Sequence, residues 1–207
     1  MPRLARLDVP GILHHVIGRD LRFLITVVIG KSGLWRMTTP TTLEELREAY
    51  RGIRCVFKDY PHEAENIRCL ALEVKAGIEA IDPLIQEMTS EVCPRCKSSN
   101  CTNLNGRFDW CDLIYLAALG LELPPFRDGL RDEEPCQFLA ERGCVLPRAM
   151  RPHRCNWWYC EPLLEVIEKW PPRKQRMFIS SLEKITLTRK RMCDELNKIQ
   201  DGIRKAG

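Results

Sequence analysis

From Thr42 onward, apolar residues recur at alternating intervals of three and four. Leu43, Leu46, Tyr50, Ile53 and Phe57 fall on one face of a helix. Thr42 and Glu45 form a capping box at its start, where each side chain can satisfy a backbone N–H. The stretch "KDYPH" interrupts this pattern, and Ile67, Leu70, Ala71, Val74, Ile78 and Ile81 then mark a second helical face. This second helix is expected to end near Asp82-Pro83, because proline disfavours helix in the residue before it. Two adjacent amphipathic helices with a short connection predict an antiparallel hairpin. Cys55 and Cys69 lie inside these helices, where buried cysteine commonly acts as a small hydrophobe.

The pattern weakens between residues 93 and 160. One segment, "DWCDLIYLAALGLE", reads as a helix, with Asp109 as its cap and Gly120 suited to its C-terminal end. A Pro/Gly-rich loop, "LPPFRDGLRDEEP", follows it. Helical spacing returns in "PLLEVIEKW", and again after Pro171-Pro172 with Phe178, Leu182, Ile185, Met192, Leu196 and Ile199. The "RKR" run, Arg189 to Arg191, reads as a solvated face of that last helix. The predicted fold is therefore mainly α: a helical hairpin over 37–90, a small irregular Cys-rich metal-binding domain over 91–161, and C-terminal helices over 162–207.

Residues 1–36 do not share this pattern. Their apolar run from Phe23 to Gly30 is far shorter than the roughly 20 residues a membrane helix needs. Basic residues precede it and no small-residue cleavage spacing follows, so neither a signal peptide nor a membrane anchor is expected. The opening "MPRLARLDVPGILHHVIGRD" resembles the start of the REP-associated (IS200-like) tyrosine transposases. Those enzymes need a His-hydrophobe-His metal pair, which is absent here, and the adjacent His14 and His15 would point to opposite faces of a strand. No transposase function is carried over. Residues 1–36 are read as a fused fragment or as the product of a start placed too early, with Met37 as the alternative start.

Composition changes the picture only through cysteine. A net charge of +4 does not by itself call for nucleic acid or an anionic membrane. Of the eleven cysteines, Cys93, Cys96, Cys101, Cys111, Cys136, Cys144, Cys155 and Cys160 lie within one third of the chain, while Cys55, Cys69 and Cys193 are isolated. With no secretory signal expected, the reading is cytoplasmic, where thiols stay reduced and clustered cysteines more often hold metal.

Zinc takes four soft or borderline ligands in a tetrahedron, often starting from a Cys-x2-Cys knuckle. Cys93 and Cys96 supply that knuckle, Cys101 is near enough to be a third ligand, and Cys111 can be a fourth. Cys136, Cys144, Cys155 and Cys160 form a second group. The eight thiols suffice for two four-sulfur sites, or for one cluster with spares. Ferredoxin spacing is absent, and so is the second knuckle of a zinc ribbon. Spacing alone leaves zinc and an iron–sulfur cluster both open.

The order Cys93-x2-Cys96-x4-Cys101, Asp112, Leu119-Gly120, Cys136-x-Phe138-Leu139, Cys144, Arg151-Pro152-x2-Cys155 resembles the YkgJ-like cysteine-cluster family, the zinc- or iron-chelating CxxCxxCC domain. The resemblance covers residues 93–160. It implies zinc or iron–sulfur binding in a cytosolic bacterial protein, and no established reaction. The family's compact first cysteine group is stretched here: Cys101 follows after four residues and is not doubled, leaving Cys111 as the substitute thiol and Cys160 as an additional one.

In "RAMRPHRCNWWYC", Arg148, Arg151 and Arg154 can offset thiolate charge, since a tetrathiolate zinc site is formally −2. Trp157, Trp158 and Tyr159 either shield a cluster from solvent or serve as core aromatics. His153 is either an alternative ligand or a surface or supporting group. Three functions follow. The first is metal binding through clustered cysteines, with an unknown protein or redox partner. The second is an iron–sulfur oxidoreductase or maturation enzyme, although no dinucleotide fingerprint, P-loop or nucleophile elbow is present. The third is a zinc-dependent nucleic-acid module presenting Arg142, Arg148, Arg151, Arg154 and the Trp pair.

Overall fold

The computed structural model describes residues 40–95, 101–141 and 143–206. The chain divides into two units, Met1–Arg36 and Met37–Gly207, and the description concerns the second. The expectations about the apolar run at Phe23–Gly30 and about His14 and His15 lie outside the described residues. Among the described residues no helix is long and apolar enough to cross a membrane.

The unit is mainly α. Helix α1 spans Leu43–Asp59, and its capping box is formed as expected, with the Thr42 hydroxyl accepting from the Glu45 amide. Helix α2 spans Glu65–Val92 and follows α1 after a short connection, giving the helical hairpin. The remaining elements are α3 (Trp110–Ala118), a two-strand ribbon of β1 (Leu139–Ala140) and β2 (Gly143–Cys144), a short α4 (Arg154–Trp157), α5 (Glu161–Lys169) and the long α6 (Pro172–Ala206).

The buried face of α1 is Leu46, Tyr50, Ile53, Val56 and Phe57, and that of α2 begins Ile67, Leu70, Ala71, Val74, Ile78, Ile81. Helix α6 lies along α2 and contributes Phe178, Leu182, Ile185, Met192 and Leu196 to the same core. The approach is close at Gly77, where a Cβ would stand 2.7 Å from Ile185 Cγ1. Only glycine at that position lets the two helices meet without displacing Ile185. Tyr50 also reaches past its own helix, donating its hydroxyl to the Leu121 carbonyl at the end of α3.

Three expectations are corrected. Helix α2 does not stop at Asp82-Pro83 but continues to Val92 with Pro83 inside it. The apolar stripe continues through Ile85 and Met88, both fully buried, and Asp82 is held by Arg148 at 2.9 Å. Those contacts outweigh the roughly 3 kcal/mol that an interior proline costs a helix. Cys55 and Cys69 are exposed, not buried, because each sits two residues, about 200°, from the core positions Ile53 and Ile67. Arg189, finally, is turned inward while Arg191 remains exposed.

The proline gives a direct test. Pro83→Ala restores a backbone donor within an established helix, so stability should rise by about 1–3 kcal/mol in denaturant unfolding. An unchanged or lowered midpoint would show that Pro83 is packed in a way alanine cannot replace.

Candidate metal centre

The cysteine segments are brought together by backbone pairing. Residues 101–104 run antiparallel to 132–136: Thr102 bridges Pro135, and the Cys136 amide donates to the Cys101 carbonyl at 2.8 Å. The Asn103 amide donates to Glu134 O, also at 2.8 Å. Cys101 and Cys136 thus occupy neighbouring strands. The β1–β2 ribbon follows, with Leu139 opposite Cys144 and the Val145 amide donating to Phe138 O. Phe138 packs edge-on against Phe108, ring centroids 6.0 Å apart, anchoring this ribbon to the segment before α3.

Gly106 closes a turn whose amide donates to the carbonyls of Thr102 and Asn103. A Cβ there would collide with Cys136 Sγ, so the missing side chain makes room for that thiol. Cys155, on α4, donates its thiol to the Asn105 carbonyl at 3.4 Å in the same turn. Burial pushes the Cys155 thiol up to about 12, and the neighbouring Cys136, Cys144 and Cys101 add to that rise. Burial likewise raises Cys136, again with contributions from Cys144 and Cys101.

Two arginines stand beside this group. Arg148 is buried, pairs with Asp82 of α2, and donates to the Cys155 carbonyl at 3.3 Å. Arg151 donates to the Leu146 carbonyl, and burial followed by the Arg148 charge lowers its pKa. Arg148 is thus held in internal bonds, while Arg151 is half-buried with its Nε bonded to a backbone carbonyl.

Behind the thiols lies a buried polar hub that sequence reading did not find. Asp112, in the first turn of α3, accepts from the amides of Asp109 and His153 and from the guanidinium of Arg189 on α6. Asp109 also pairs with Arg189. Burial, followed by the Asp109 charge, raises Asp112 to about 6. The hub ties the cysteine helix α3, the Cys155 segment and α6 into one body. His153 is buried, and burial followed by Arg189 depresses its pKa, so it is neutral. Its Nε2 lies 3.4 Å from Thr186 Oγ1, whereas Nδ1 has no partner among the described residues. Asp109 is readable as a helix cap and Asp112 as part of the cysteine-cluster resemblance, but nothing in the sequence pairs them with Arg189.

The remaining expected ligands are placed differently. Cys111 is joined in a disulfide to Cys193 of α6, 82 residues further on, so neither is isolated. Both are buried between α3 and α6. Cys93 is exposed in the Cys93–Arg95 turn that ends α2, and Cys160 occupies the N-cap of α5. Cys96 and Arg142 lie outside the described residues. Of the aromatics, Tyr159 is a core residue packed on Phe178 at 5.8 Å, whereas Trp158 is exposed.

Among the described residues no three His, Cys, Asp or Glu side chains already stand as a ligand set around one point. Peptide mapping under non-reducing conditions is expected to recover Cys111 joined to Cys193. Cys193→Ser should cost about 2–4 kcal/mol by releasing that long loop. Full alkylation of both thiols in the native oxidised protein would count against the pairing.

No family model matches the chain, and no curated protein or solved structure matches it either. What the fold and the site define is a mainly α scaffold supporting a cysteine-rich ribbon.

Proposed function

We propose that this protein is a cytoplasmic metal-binding protein whose clustered cysteines hold zinc or an iron–sulfur centre, in the manner of the YkgJ-like cysteine clusters. One observation carries the reading: Cys136 is hydrogen-bonded through its backbone to Cys101, Cys155 bonds to the turn whose Gly106 makes room for the Cys136 thiol, and Cys144 follows on the paired ribbon, so four cysteines distant in sequence are drawn into one region. Burial raises the Cys136 and Cys155 thiols, so a metal bound there would have to displace their protons. Soft thiolates select zinc or iron–sulfur centres over magnesium and calcium.

Cys101, Cys136, Cys144 and Cys155 form the core ligand set, with the Cys93–Cys96 knuckle as further thiolate leading into Cys101. Gly106 leaves space at Cys136, and Arg148 and Arg151 offset the thiolate charge. A bound metal would supply cross-linking of an otherwise loosely structured ribbon, and in the iron–sulfur case one-electron chemistry. In the reducing cytoplasm, Cys111 and Cys193 would rest as a buried dithiol.

Anaerobic purification of the full chain, followed by metal and acid-labile sulfide analysis, tests this reading. Stoichiometric zinc, or iron with matching sulfide and visible absorption, supports it. Metal-free protein that takes up neither zinc nor iron and sulfide on reconstitution would refute it.

A further inference from the structure

The long helix α6 presents to solvent a face that neither the core nor the metal centre uses. Arg173, Arg176, Met177, Ser180, Lys184, Leu187 and Arg191 are all exposed. At about 100° per residue these positions fall within a stripe about 100° wide, opposite the buried Phe178, Leu182, Ile185, Met192 and Leu196. Up to Lys198 the other cations of the helix are engaged: Lys174 with Glu87, Arg189 with Asp109 and Asp112, Lys190 with Asp194, Lys198 with Glu195. Arg173, Arg176, Lys184 and Arg191 have no ion-pair partner among the described residues. The half-buried Glu183 at the edge of the stripe is the one acid between Arg173 and Arg191.

We infer that this face of α6 is a docking surface for the phosphodiester backbone of a nucleic acid. Four unpaired cations are held on a rigid rod over about 27 Å, a length set by the 1.5 Å helical rise. Maintaining that density of like charge is unfavourable for the isolated fold and is relieved by a polyanion. A phosphate backbone presents one charge per few ångströms along each strand, so it meets such a row in any register. An anionic membrane fits less well. The wide apolar stripe of α6 is turned inward onto α2, leaving only Met177 and Leu187, ten residues apart, to enter a lipid surface. The surface is distinct from Arg148 and Arg151, whose guanidinium groups are engaged inside the protein, and it does not depend on a metal being bound.

The test uses the full chain and fluorescently labelled duplex DNA, duplex RNA and single-stranded DNA, with anisotropy followed across salt concentrations. Binding is expected with a log–log salt slope that becomes shallower by about 3.6 in Arg173→Gln/Arg176→Gln/Lys184→Gln/Arg191→Gln, since each phosphate contact contributes about 0.9. Replacing the three arginines by lysine should preserve the slope, because a phosphate contact needs the charge alone. Which of the three polynucleotides binds most tightly identifies the source of the phosphates. Three outcomes would overturn the inference. One is no polynucleotide binding at low salt. Another is an unchanged slope in the quadruple glutamine variant with native circular dichroism. The third is variant-sensitive binding only to vesicles of phosphatidylcholine and phosphatidylserine.

Discussion

Cys155→Ser is expected to abolish stoichiometric metal in the full chain, and Cys136→Ser to do the same. These two thiols sit deepest in the gathered set, and each feels the charge of at least two of the other sulfurs. A hydroxyl cannot replace a soft thiolate, so the loss should exceed the 10–100-fold effect typical of outer-shell substitutions. Because metal-binding energy is folding energy in small metal domains, the residue 101–160 ribbon should also become protease-sensitive. Cys55→Ser and Cys69→Ser serve as controls: both residues are exposed on the hairpin, and neither should change metal content. Measured by elemental analysis after anaerobic purification, equal metal content in Cys155→Ser and the parent would remove Cys155 from the site.

The second large effect is at Asp112. Asp112→Ala leaves Arg189, only 12% exposed, with Asp109 alone, and leaves the His153 amide without its acceptor. Breaking a buried ion pair from one side costs about 3–5 kcal/mol. For a domain of this size that corresponds to a melting temperature lower by about 6–20 °C. Asp112→Asn should cost much less, because the amide oxygen still accepts from His153 and the desolvation of a second charge disappears.

The same residue fixes a pH dependence. Burial places the folded-state value of Asp112 at about 6, above its ordinary 3.8, so the folded protein holds that proton more tightly than the unfolded chain. Its contribution to stability is therefore greatest below about 4 and is lost as pH rises through about 6. Asp112→Asn should flatten that limb of the stability profile, measured by denaturant unfolding between these pH values. An unchanged profile would show that another group carries it.

Much of the fold is legible in the residues themselves. The three-and-four spacing from Leu46 to Phe57 and from Ile67 to Ile81, the Thr42–Glu45 box and the Asp109 cap are local signals, and local contacts realise them. The misreadings arise where tertiary contacts outweigh local preference. Pro83 reads as a helix end, but Ile85, Met88 and the Arg148–Asp82 pair extend the helix beyond it. Cysteine count and order lead to the expectation of a metal site, but spacing cannot show which cysteines pair. Cys111 seemed the natural companion of Cys101 by proximity along the chain. Instead, the packing of α3 on α6 delivers it to Cys193, while the Thr102–Pro135 bridge delivers Cys136 to Cys101. The Asp112–Arg189 hub is likewise invisible in one dimension, since its partners lie 77 residues apart.

The claim that four thiols share one metal is tested most directly by X-ray absorption at the metal edge of the anaerobically purified full chain. A first shell of four sulfurs, at about 2.3 Å if the metal is zinc, is the expected result. A shell dominated by nitrogen or oxygen, or four sulfurs retained unchanged in Cys155→Ser, would contradict it.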